Sequence, residues 1–160
     1  MIINLSDDVN DAMLTPLLKA ITDLKTDEKL TIYFTCPDGG FTDAAMAIID
    51  IINSNKEVIN MIYYGELFSS GMIIFLGTKC NKKILRDTRG MYHFAWQQMS
   101  INETGKPSGE YDIFSMKEMK KSKIRTLEFL STTKLFQKEI AQIKLGKDVY
   151  FSYDRMLELI

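Results

Sequence analysis

Short apolar runs and glycine-containing breaks alternate along the first half of the chain. Ile2 to Leu5 reads as a strand, and Ser6-Asp7-Asp8 then offers capping oxygens to a segment in which Val9, Ala12, Met13, Leu17, Ala20 and Leu24 recur at helical spacing. Lys29 to Thr35 is β-branched and aromatic, which predicts a second strand stopping at Pro37-Asp38-Gly39-Gly40. Thr42 and Asp43 are placed to cap a helix whose Ala44, Ala45, Ile48, Ile49 and Ile52 form a wide apolar face, the pattern of a largely buried element. Val58 to Tyr64 predicts a third strand ending at Gly65, and Ser69 to Leu76 a short apolar helix closed by Gly77.

Strands that alternate with helices through tight glycine turns predict an α/β fold with mostly parallel pairing. Sites in such folds gather at strand ends. Lys83 to His93 reads as one or two short strands around a turn at Asp87-Thr88-Arg89-Gly90, with His93 at a strand end. Asn102 to Tyr111 carries the glycine, proline and polar residues of an exposed loop, and a charged helical region follows from Ser115 to about Ile143. Asp148 to Ile160 closes the chain with a strand-like piece and a helical turn, and no linker marks a second domain.

Composition narrows the function classes. With 160 residues, 46% of them hydrophobic, the chain has the material for one well-packed core. A formal net charge of −1 provides no basic field for nucleic acid or an anionic membrane. The mixed-charge run Lys117 to Arg125 fits a solvated helix face. Cys36 and Cys80 form no CxxC pair, and the single histidine does not complete a zinc set with them, so neither metal nor cofactor is expected. Two free thiols suit a cytoplasmic location. The N-terminus lacks the basic and apolar regions of a signal peptide, and the longest apolar stretch, Met72 to Leu76, is far shorter than the roughly 20 residues of a membrane span.

The candidate chemistry lies in Gly65-Glu66-Leu67-Phe68-Ser69-Ser70-Gly71 and in His93, the sole histidine. Ser69 taken alone fits a helix cap, and His93 alone a buried, hydrogen-bonded imidazole. Together they have the layout of an activated nucleophile and its base, because a serine hydroxyl needs such a base to attack at neutral pH. A helix starting behind Ser69 would turn the Ser70 amide toward a developing oxyanion, and the Gly39-Gly40 turn is suited to supply a second donor. These features imply a serine hydrolase.

The chain resembles the caseinolytic protease proteolytic subunit family, ClpP, within the broader ClpP/crotonase fold, over most of its length. The family's G-x-x-x-S-x-G segment appears as Gly65 to Gly71, its glycine pair after the second strand as Gly39-Gly40, and its arginine-led M-x-H signature as Arg89-Gly90-Met91-Tyr92-His93. Its acid, four residues before a serine near the C-terminus, matches Asp148 with Ser152; Asp154 and Asp112 are the alternatives. The resemblance implies a superhelix of repeated strand-strand-helix units with a peripheral helical handle, here residues 100–143 of a single domain 1–160. It implies a Ser69-His93-Asp148 triad and oxyanion donors at Gly40 and Ser70; Gly39 and Phe68 beside them and Phe94 after the base are the expected substrate contacts. Phe94, Trp96 and Met99, just after the base, fit the lining of an apolar substrate pocket and equally a core or subunit interface.

By this resemblance the protein is a serine endopeptidase acting on peptides or unfolded proteins inside a homo-oligomeric ring, with phage-type capsid-processing proteases as a variant. A Clp-type ATPase is the family's partner, but Met1 falls about where the first strand begins, which leaves out the N-terminal axial gate. Leu67 and Phe68 are bulky where the family has small residues, Ser70 stands in place of its usual methionine, and Asp38 puts a carboxylate beside the glycine pair. Two rival readings are a non-catalytic ClpP-like structural subunit and a crotonase-type acyl-CoA enzyme. The second lacks a recognisable CoA adenine-binding loop.

Overall fold

The computed structural model describes residues 1–94 and 110–160, with residues 110–116 described by their backbone alone. The described chain falls into two compact units, Met1–His93 with Asp148–Ile160, and Phe94–Lys147.

The first unit is built on a sheet. Its strands are β1 (Ile2–Ser6), β2 (Leu30–Cys36), β3 (Ile59–Phe68), β4 (Asn81–Ile84), β5 (Arg89–Tyr92) and β6 (Val149–Phe151). The order is β1-β2-β3-β5-β6, with β4 also on β3. Every pairing is parallel except that of β5 with β6. The helices are α1 (Leu14–Thr22), α2 (Thr42–Ser54), α3 (Ser70–Gly77) and α6 (Tyr153–Glu158). This is the mixed α/β architecture that the alternating sequence predicts.

Burial follows the predicted periods. Leu30, Ile32, Phe34 and Cys36 alternate inward along β2, and Ile59, Met61, Tyr63 and Leu67 along β3. Ala44, Ala45, Ile48, Ile49 and Ile52 bury the inner face of α2. The apolar run of α3 has no polar face, and its residues Ser70 to Phe75 are all buried, as a helix hydrophobic all round requires. Phe34, Tyr63 and Phe75 stack edge to face, with centroids 5.9 and 5.0 Å apart. The Tyr63 hydroxyl meets Thr78 Oγ1 at 2.6 Å, so the one polar atom of this aromatic cluster is satisfied.

Four local expectations differ from the structure. Ser6-Asp7-Asp8 does not cap the first helix: Asn10 accepts from the Ala12 amide at 2.9 Å, a short 3-10 turn follows, and α1 begins at Leu14. The reason is Val9, fully buried and held in a parallel bridge with Gly40. Phe41, rather than Thr42 or Asp43, stands at the cap of α2, its amide donating to Val9 O at 2.8 Å. β3 does not stop at Gly65. It continues to Phe68 through an irregularity in which Phe34 pairs with Tyr63 but Cys36 with Leu67, and Gly65 takes φ +65°. Arg89 and Gly90 belong to β5 rather than to the turn before it.

The second unit holds α4 (Glu110–Ser131) and α5 (Gln137–Lys144), two helices within the charged helical region expected there. Leu130, Ile140 and Ile143 are buried, and the Glu139 carboxylate accepts from the Phe136 amide at 2.6 Å to close the start of α5. The loop expected over 102–111 lies almost wholly outside the described residues. Among the described residues, no helix is long and apolar enough to cross a membrane.

Candidate active site

Because β2, β3 and β5 run parallel, the segments that leave them emerge at one edge of the sheet. Gly39-Gly40 follows β2, Ser69 follows β3 and His93 follows β5. β6 runs the other way, so Asp148, which precedes it, reaches the same edge.

Ser69 joins β3 to α3 in a sharp turn with φ +50° and ψ −112°. A left-handed φ is costly for a residue with a Cβ, and a serine held this way between strand and helix has the geometry of a nucleophile elbow. Its amide donates to Met91 O at 2.8 Å, extending the β3–β5 pairing past Phe68. Ser69 occupies the cap position of α3 without making a side-chain cap. The capping role therefore does not account for its hydroxyl.

Gly39 faces that hydroxyl. A Cβ on Gly39 would stand 2.7 Å from Ser69 Cβ and 3.3 Å from Oγ, and Gly39 already has φ +86°. Gly40 has no more room, since its Cβ would meet Val9 O at 2.2 Å. Only glycines allow this turn to lie between Val9 and Ser69.

The peptide plane joining the two glycines is held through its oxygen. Gly39 O accepts from the Val9 amide at 2.7 Å and from Cys36 Sγ at 3.0 Å. In a trans peptide the N–H points opposite to the C=O, which turns the Gly40 amide away from Val9 and Cys36. Burial pushes the Cys36 thiol up from its ordinary pKa, keeping it a neutral donor. The next carbonyl, Gly40 O, accepts from Ser70 Oγ at 2.7 Å. Ser70 is the first residue of α3, so its own amide has no intrahelical acceptor. No sequence signal pointed to Val9, Cys36 or the Ser70 hydroxyl as parts of this turn.

His93 Nδ1 lies 3.4 Å from Asp148 Oδ1, an ion-pair approach longer than an ordinary hydrogen bond. The side chains are 28% and 48% exposed, so this pair is open to solvent rather than sealed in a core. Among the described residues, no hydrogen bond joins Ser69 to His93. Asp154 lies in the first turn of α6, the side chain of Asp112 is outside the described residues, and Asp38 is exposed. Phe68 is half-buried at the end of β3. Phe94 belongs to the second unit, where it is buried with Lys123 Nζ 4.6 Å from its ring centroid. Trp96 and Met99 lie outside the described residues. Arg89 pairs with Glu66 across β5 and β3, its Nε donating at 3.0 Å.

The mostly parallel sheet thus brings the Ser69 turn, the glycine turn and His93 to one edge of a mixed α/β fold. The Clp protease family model matches residues 1–154, and the chain belongs to that family. No curated protein sequence matches it. Among solved structures it is similar to a point mutant of ClpP1 from Listeria monocytogenes, at 21% identity and a TM-score of 0.68, over 99% of this chain and 86% of that one. At this identity the likeness concerns the fold.

Proposed function

We propose that the protein is a serine endopeptidase that cleaves peptides or unfolded proteins through an acyl-enzyme, working in a ring of its own copies. The observation that carries this reading is the backbone of Ser69, strained at φ +50° with its side chain left out of the helix cap. Strain of this kind costs of order 1–3 kcal/mol and persists where the surrounding structure and function demand it.

In the proposed reaction Ser69 Oγ attacks the scissile carbonyl while His93 Nε2 takes its proton. Asp148, facing Nδ1, holds the imidazole in the required tautomer and stabilises its charged form. The Gly40 and Ser70 amides receive the oxyanion, each such donor being worth about 3 kcal/mol of barrier. Collapse expels the amine, which takes the proton from His93, and water then releases the acyl group by the same steps. An edge open to solvent gives no selection against folded proteins, so enclosure by neighbouring copies would supply it. The Ser69–His93 hydrogen bond would form when copies assemble or substrate binds, since such bonds often tighten only in the productive complex.

Treatment of the purified protein with a fluorophosphonate probe, followed by mass spectrometry, tests the reading. Labelling at Ser69 that disappears in Ser69→Ala and His93→Ala supports it. Absence of labelling in every oligomeric state would overturn it in favour of a non-catalytic structural subunit.

A further inference from the structure

The Gly40 amide and the Ser70 amide come from separate segments, the turn after β2 and the start of α3. The peptide plane before Gly40 is held by Val9 and Cys36 through Gly39 O. The plane after it is held at one end by the Phe41 amide on Val9 O, and at the other by Ser70 Oγ on Gly40 O at 2.7 Å. Ser70 is 1% exposed, which leaves its hydroxyl little choice of partner. The residue that carries one donor thus grips the residue that carries the other.

We propose that the Ser70 side chain is a positioning residue for the oxyanion hole, a strut that sets the separation and direction of the Gly40 and Ser70 amides. This rests on the reading of Ser69 as nucleophile. The strut acts through the two amides and makes no contact of its own with the reacting atoms. Its contribution is therefore felt in the step that builds negative charge on oxygen, and not in the first encounter with a ligand.

The test follows the phosphonylation of Ser69, in which the Ser69 O–P bond forms, the P–F bond breaks, fluoride leaves and the serine proton passes to His93. Rates are measured for the wild type, Ser70→Ala and Ser70→Thr, with affinity for a simple arylboronic acid, which forms a tetrahedral adduct on the serine. The expected result for Ser70→Ala is a roughly tenfold lower maximal labelling rate, smaller than the 10²–10³-fold loss of an entire donor. The boronate should weaken by a similar factor, the half-saturating probe concentration should stay unchanged, and Ser70→Thr, which keeps the hydroxyl, should recover most of the rate. Unchanged labelling and boronate affinity in a folded Ser70→Ala variant would overturn the strut while leaving Ser69 as nucleophile. A loss confined to half-saturation would do the same. Absence of Ser69 labelling in the wild type would overturn both.

Discussion

His93 and Asp148 meet because β5 and β6 pair antiparallel: Gly90 lies opposite Phe151, Met91 opposite Tyr150 and Tyr92 opposite Val149, and the next step sets His93 against Asp148. The 3.4 Å approach of Nδ1 to Oδ1 continues the strand register into side chains. Asp154, within α6, lies beyond that ladder.

Asp148→Asn should therefore lower the turnover of an ester or peptide substrate by roughly 10³–10⁴, the range expected when a base loses the group that sets its tautomer. Asp154→Asn should leave it within about twofold. Comparing the two variants by kcat at neutral pH separates the candidate acids, and equal effects would remove Asp148 from the role.

Ser69→Gly should abolish fluorophosphonate labelling while raising stability by about 1 kcal/mol, because glycine tolerates the left-handed backbone that strains a serine. Denaturant unfolding of the two proteins measures the difference. A destabilised glycine variant would show that the serine side chain contributes more to the fold than its backbone costs.

Gly39→Ala should be damaging in both respects. Alanine at φ +86° costs about 1–2 kcal/mol, and its methyl would stand 2.7 Å from Ser69 Cβ, displacing the serine. A Tm close to wild type with full labelling would mean that the turn relaxes without moving Ser69.

The Tyr63–Thr78 pair provides a test of the core. Thr78 Oγ1 also donates to Ile74 O at 3.0 Å, so the buried Tyr63 hydroxyl is the donor in their shared bond. Tyr63→Phe removes that donor and should cost about 1 kcal/mol. Thr78→Val strands the tyrosine hydroxyl and should cost about 1–3 kcal/mol. Urea unfolding of both variants checks the order.

Stability should fall in alkaline solution. Burial raises the thiols of Cys36 and Cys80 and the phenol of Tyr63 above their ordinary values. All three lose their protons more readily in the unfolded chain, so their contribution is fully present below the ordinary thiol value near about 8.5. It is lost as pH rises toward the elevated folded values. Unfolding midpoints measured from pH 7 to 10.5 should decline, and Cys36→Ser should flatten part of the slope.

Much of this was legible in the chain. The alternation of strands and helices, the buried character of α2, the apolar run of α3 and the segment from Gly65 to Gly71 all rest on period and turn residues, which act over a few positions and are written locally. Leu30 to Cys36 alternates inward and outward because its own side chains dictate it. Other features were not local. The helix cap expected from Ser6-Asp7-Asp8 failed because Val9 is drawn into a bridge with Gly40, and β3 passed Gly65 because pairing with β2 and β5 continues beyond it.

The sequence by itself singled out the candidates: one histidine, the Ser69-Ser70 pair between glycines, and a glycine pair after a strand. Tertiary structure decided how they are held. The φ of Ser69, the orientation of the Gly39–Gly40 peptide, the grip of Ser70 on Gly40 and the facing of His93 with Asp148 all depend on strand register and on contacts between distant segments. No local preference specifies such contacts, because their energy arises only when both partners are already in place.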